Sequence, residues 1–239
     1  MRHRWFSPKG QKRSDMGQYH DLKYPNESSD YRAARDDLLT EEIELRRQAA
    51  KVSDLQRALP LGGALKENYV FQNLSGENMK LSELFSDKSP NLLIYGFMYK
   101  PGGDACPVCT SLLDGLNGSA PHIKQNLNFA VVAKASVEEL KAWVNARNWS
   151  NLIVLSSGQC TYNLDYHAED DEERQLMMMN VFRKTDDGIF HSLGYEIKTA
   201  PRGDEQDPRQ RDQIWPLWTI YDLTLDGRPS DWFPTYNYD

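Results

Sequence analysis

Apolar positions along the chain recur with two different periods, and the switches between them mark out its elements. Between residues 31 and 52 they fall at Tyr31, Ala34, Leu38, Leu45, Ala49 and Val52, in steps of three, four and seven, which predicts one face of a long helix. Asn26-Glu27-Ser28-Ser29 supplies caps for its start, and Leu59-Pro60-Leu61-Gly62-Gly63 ends it. Glu41 and Glu42 interrupt the stripe, which argues against a strong coiled coil of its own. The helix either docks on the core or crosses to a second copy, and both arrangements bury the same face.

After residue 63 the pattern shortens. Tyr69-Val70-Phe71 and Met79-Lys80-Leu81 read as two strands around a Ser75-Gly76 turn, and Ser82 caps a short helix. The run Leu92-Leu93-Ile94-Tyr95-Gly96-Phe97-Met98-Tyr99 is aromatic and branched and too short for a good helix, so it predicts a buried strand. Residues 127–133 and 152–155 predict two more. Ser136-Val137-Glu138-Glu139 forms a capping box for a helix ending near Trp149. Residues 178–183 and 188–193 flank Thr185-Asp186-Asp187-Gly188, a hairpin signal. Strands alternating with helices imply right-handed crossovers and a parallel pair in the sheet. Met177-Met178-Met179 predicts core filling, residues 169–173 an acidic solvated loop, and residues 201–212 a charged surface excursion.

Composition narrows the classes. The chain has 239 residues and a formal net charge of −7, with no basic stripe interleaved with aromatics, so nucleic-acid binding is not its main work. A mean hydropathy of −0.70 and the absence of a long apolar run argue against membrane spans. Residues 1–28 predict a flexible basic tail, with Arg2, Arg4, Lys9, Lys12 and Arg13 ahead of the first acid. An organelle-targeting peptide is the alternative, but no amphipathic face supports it. The division is then tail (1–28), long helix (29–60) and an α/β domain (61–239) with an aromatic-rich C-terminal extension. Its Trp215, Trp218, Tyr221, Trp232, Phe233, Tyr236 and Tyr238 either pack on the body or wall the thiol site.

The candidate chemistry lies in Ala105-Cys106-Pro107-Val108-Cys109-Thr110. Lys100-Pro101-Gly102-Gly103-Asp104 breaks both periods as a loop, and Pro107 suits a first helical position. The two thiols thus stand where a strand hands over to a helix. Residues three apart share a helix face within disulfide reach, and the partial positive charge and unpaired N–H groups of a helix start favour thiolate. Cys106, nearer solvent, is the expected nucleophile and Cys109 the resolving thiol. Lys134, ending a strand, and Asp104, beside the thiols, are possible supporting groups. Two weaker alternatives stand beside this one: a zinc site completed by Cys160 and one of His122, His167 or His191, or plain buried cysteines. The expectation carries no metal and no other cofactor. Three cysteines, two of them in one CxxC, do not make a secreted disulfide scaffold and fit a reducing cytoplasm. His191, next to Phe190 in the hairpin, is expected to face away from the core.

The order of elements resembles the thioredoxin-like superfamily: a central mixed sheet with flanking helices and CxxC at the start of the first. More narrowly, the chain resembles a family of domains of unknown function related to alkyl hydroperoxide reductase and thiol-specific antioxidant proteins, described as predicted dithiol–disulfide isomerases. The residues that carry this include Tyr31-Arg32-Ala33-Ala34-Arg35-Asp36, Arg57-Ala58-Leu59-Pro60-Leu61-Gly62-Gly63, Cys106-Pro107-Val108-Cys109 with Asp114-Gly115-Leu116-Asn117-Gly118, Ile189-Phe190-His191 and Tyr221-Asp222-Leu223-Thr224. The resemblance implies a thioredoxin-like fold and a redox role with a thiol or disulfide substrate or a reductant protein as partner. It supplies no substrate. Ala105 stands where thioredoxins place Trp, Tyr99 and Gly103 replace the Pro and Thr/Ser of peroxiredoxins, and residues 175–180 hold no proline ahead of the hairpin.

Overall fold

The structure is a computed structural model that describes residues 19–20, 22–201 and 214–238, without the side chains of 198 and 199. Most of the expected basic tail and nearly all of the 201–212 excursion lie outside the described residues. Two compact units divide at Leu59/Pro60.

The first unit holds α1 (Ser29–Ala58), capped where Ser28 Oγ accepts from the Tyr31 N–H at 3.1 Å. None of its 30 residues is buried.

In the second unit β1 (Val70–Gln72), β2 (Asn78–Lys80), β3 (Asn91–Gly96), β4 (Asn128–Ala133), β5 (Val154–Ser156), β6 (Met178–Thr185) and β7 (Gly188–Gly194) form one sheet. Its order is β2-β1-β5-β4-β3-β6-β7. Strands β3, β4 and β5 run parallel, β6 pairs antiparallel with β3, and β7 pairs antiparallel with β6 at the edge. The helices α2 (Pro107–Ile123) and α3 (Val137–Arg147) make the crossovers, α4 (Tyr162–Asp165) follows β5, and α5 (Pro216–Asp222) lies in the C-terminal extension. A parallel β-α-β unit with an antiparallel hairpin beside its first strand, and the CxxC starting the crossover helix, is a thioredoxin-like arrangement.

Each side of the sheet has its own core, because successive residues of a strand point to opposite faces. Leu92, Ile94, Ala130, Val132 and Phe182 face Tyr69, Phe71 and Tyr162. Tyr95, Phe129, Val131 and Met179 face α2, α3 and the C-terminal extension, whose Trp215 and Trp218 are buried there. The expected strand through Tyr99 stops early, at Gly96. A Cβ on Gly96 would lie 3.1 Å from Ala168 Cβ and 3.2 Å from Met178 O, and Gly96 pairs with Met178, the first residue of β6, so the ladder ends there.

Three local expectations change. Ser82 is inside a short 3-10 turn (Leu81–Leu84) instead of capping it; Glu83 Oε2 accepts from the Lys80 N–H at 2.6 Å. Glu169 is buried and paired with Lys134, so the acidic run is only partly solvated. His191 turns toward the aromatic rings of Tyr166 and Phe182. It pairs with buried Phe182, whereas Phe190 pairs with Arg183, so alternation holds but His191 takes the core-facing side and Phe190 the opposite one.

Candidate functional site

Cys106 is the N-cap of α2 and Pro107 its first helical residue. Proline fits because the first helical N–H has no intrahelical partner to lose. The Cys106 N–H is held by Met98 O at 3.0 Å, and its Sγ accepts from the Cys109 N–H at 3.3 Å. The sulfur therefore does what a Ser or Asp oxygen does at other helix starts, and the N–H groups it meets stabilise its anion. Cys109 lies one turn in, 2% exposed, within the apolar cluster on the helix-α2 side of the sheet. Cys106 is half-buried at the rim of that cluster. All three cysteines are free thiols.

The environment pulls the pair apart in acidity. A hydrogen bond from the Cys109 thiol, backed by the Cys109 and Val108 N–H groups, outweighs burial and lowers Cys106 to about 7. The same contact with Cys106, added to burial, raises Cys109 well above the ordinary thiol range. One thiol is ready to ionise near neutrality; the other donates to it and keeps its proton.

The loop before Cys106 is fixed from α3. Ser136 caps α3 by accepting from the Glu139 N–H at 3.2 Å, and Glu139 reaches back to the Ser136 N–H at 2.8 Å. The second Glu139 oxygen accepts from the Gly102 N–H at 2.7 Å, so the capping box also anchors the CxxC loop. Exposed Asp104 holds no charge contact with Cys106; its carboxylate raises Tyr99 and Tyr236, after burial in both cases. Lys134 follows β4, and its ammonium lies on Glu169, 5% exposed, so its charge is engaged there. Cys160 belongs to the core on the other face of the sheet, donating toward Ser157 O. Among the described residues no three His, Cys, Asp or Glu side chains gather in a metal-binding cluster.

Several residues around the thiols carry no signal that periodicity reads. Asp114 in α2 receives Arg147 in an ion pair and the Trp149 indole N–H at 2.8 Å. Pro121 cannot donate to the carbonyl of Asn117 four residues back; Asn151 Nδ2 donates to it instead, at 3.1 Å. The Asp114-Gly115-Leu116-Asn117-Gly118 stretch thus clamps α2 to the end of α3. Tyr236, far along the chain, donates its hydroxyl to the carbonyl of Ala105, directly before Cys106. Arg147 Nη1 holds the Tyr236 carbonyl at 2.5 Å, and Trp143 meets the Tyr236 ring edge-on at 5.1 Å. The C-terminal aromatics both pack on the body and stand beside the thiols.

The fold and the capped CxxC define a thioredoxin-like protein. Over residues 22–238 the chain matches the family described as "Bacterial protein of unknown function (DUF899)", and it belongs to that family. No curated protein matches it. Similar solved structures include a cysteine-to-serine mutant of PrxQ from Xylella fastidiosa, 13% identical with a TM-score of 0.43 over 56% of this chain and 87% of that one. Peroxidoxin BcpB from Mycobacterium tuberculosis is 14% identical, TM-score 0.42, over 56% and 86%. An uncharacterised conserved protein from Geobacillus kaustophilus is 14% identical, TM-score 0.44, over 69% and 80%.

Proposed function

We propose that the chain is a thiol–disulfide oxidoreductase with Cys106 as nucleophile and Cys109 as resolving thiol. The observation that carries this reading is the split pair: an N-cap sulfur near neutral acidity, hydrogen-bonded to a buried thiol three residues on. The Cys106 thiolate attacks one sulfur of a substrate disulfide, a mixed disulfide forms, and the first substrate thiolate leaves. Cys109 then gives up its proton to solvent and attacks the Cys106 sulfur, closing the internal disulfide and expelling the second substrate thiolate. Two electrons pass from the protein dithiol to the substrate. A dithiol reductant protein resets the pair, and run backwards the same steps oxidise a dithiol. Pro107 fixes the helix start under the sulfur. No described helix is long and apolar enough to cross a membrane, and a reducing cytoplasm is the compartment that suits free thiols.

Alkylation tests this reading. Iodoacetamide is expected to label wild type at Cys106 with a half-maximal rate at a pH of about 7, Cys106→Ser is expected to react only far above it, and mild oxidant should close the 106–109 disulfide. An ordinary thiol profile with no internal disulfide ends the proposal.

A second reading, a binding module that pairs with its own copy through α1, is favoured by one feature. Tyr31, Leu38 and Leu45 stand seven apart and are 50%, 52% and 71% exposed. From Ser29 to Glu44 there are six acids and two arginines; from Leu45 to Ala58, four bases and one acid. Two antiparallel copies would set each acidic half against a basic one. Sedimentation should then show a dimer that Leu45→Lys breaks and added salt weakens; a monomer at tens of micromolar removes this reading.

A further inference from the structure

We propose that this thiol pair serves low-molecular-weight disulfides and that the C-terminal segment shuts out polypeptide ones. The inference rests on the oxidoreductase reading and adds the class of substrate.

A protein disulfide reaches a helix-start cysteine with its flanking chain attached. That chain must lie along the loop and find hydrogen bonds for its own backbone, as an added strand does. On this protein the acceptor just before the nucleophile, the Ala105 carbonyl, already takes the Tyr236 hydroxyl. The segment that brings Tyr236 is fastened twice more: Arg147 holds the Tyr236 carbonyl, and Trp143 packs edge-on against its ring. Arg147 is itself fixed by Asp114 of α2, so the tie runs back to the helix that bears both thiols. Upstream, Trp218 is 4% exposed in the cluster that contains Cys109, and Trp232 and Tyr221 pack against that same cluster. The chain's own C-terminus occupies the space and one of the backbone bonds that a docking polypeptide would need.

Cys106 nonetheless keeps part of its surface, whereas Cys109 has almost none. A small disulfide needs only an in-line approach to one sulfur. With hydroxyethyl disulfide, attack by Cys106 releases one mercaptoethanol, attack by Cys109 on the mixed disulfide releases the second, and the protein is left as the 106–109 disulfide. No further reductant enters this single turnover.

The test mixes the reduced full-length protein with hydroxyethyl disulfide or with insulin, at equal disulfide concentration, and follows formation of the internal disulfide by mass after alkylation. Wild type is expected to react at least about 100-fold faster with the small disulfide. Tyr236→Ala removes both the bond to Ala105 and the ring contact with Trp143 and so releases the segment. It should speed the insulin reaction at least about tenfold while changing the small-disulfide rate less than about threefold. Tyr236→Phe, which keeps the ring and loses only the hydroxyl, should move insulin in the same direction by less. Comparable wild-type rates with both substrates overturn the inference, as do folded variants that leave the insulin rate unchanged. If Tyr236→Ala does not fold, the wild-type ratio and Tyr236→Phe still decide. No reaction with either disulfide, and no internal disulfide, removes the oxidoreductase reading and the inference with it; reaction with insulin at full speed removes the inference alone.

Discussion

Cys106 owes its acidity first to the Cys109 thiol and then to the backbone N–H groups of Cys109 and Val108, and among the described residues no cation lowers it. That gives a pH dependence with a definite sign. The ordinary value is 9.0 and the folded value about 7, so between these limits the folded protein binds fewer protons than the unfolded chain. Its stabilisation is complete above about pH 9 and lost as pH falls through 7, a swing of about 3 kcal/mol. The disulfide form has no such group. The gap in unfolding free energy between reduced and oxidised protein should therefore shift in favour of the reduced form from pH 6.5 to 8.5, and denaturant titrations at fixed pH read it. A gap independent of pH would place the Cys106 acidity at its ordinary value. At this scale the sequence identified both sulfurs and which of them stands at the helix start, because spacing and a proline define one. Arg147 stayed hidden, and Tyr236 stood only as one of several C-terminal aromatics, its bond to Ala105 unforeseen because 131 residues separate the two.

At the scale of elements, helix α3 ties fold to site. Ser136→Ala removes its cap, with an expected cost of about 1 kcal/mol by chemical denaturation. Glu139 then loses part of its support and the Gly102 anchor loosens, so Cys106 alkylation should change as well; a cap without that tie would alter stability alone. Strand β3 makes a second prediction. A methyl at Gly96 meets Ala168 Cβ and the Met178 carbonyl inside 3.3 Å, so Gly96→Ala should cost about 1–3 kcal/mol and lower the melting temperature. Most elements were legible because their periods differ: α1, the CxxC helix, the α3 capping box and the Asp-Gly hairpin. Misjudged details share one cause. The end of β3, the cap at Ser82 and the facing of His191 depend on which strand or side chain arrives from elsewhere, which local pattern does not encode.

At the scale of the whole molecule, the C-terminal aromatics belong to the core on the thiol side of the sheet. Trp218 packs against Trp215 and Trp232 with ring centres 5.4 and 6.0 Å away. Trp218→Ala should destabilise by about 3–5 kcal/mol in one cooperative transition, visible by calorimetry. An unchanged melting temperature would mean that the extension is not part of the folding unit. The sequence by itself determined the α/β order, the parallel crossovers and the helix-borne pair of thiols, because periodicity, caps and turns act over a few residues. Only the tertiary structure decided what surrounds that pair. It put Glu169 on Lys134, Arg147 on Asp114 and Tyr236 on the carbonyl ahead of Cys106. Contacts of that kind form when distant segments close on one core, and their energies depend on burial that no local stretch of sequence possesses.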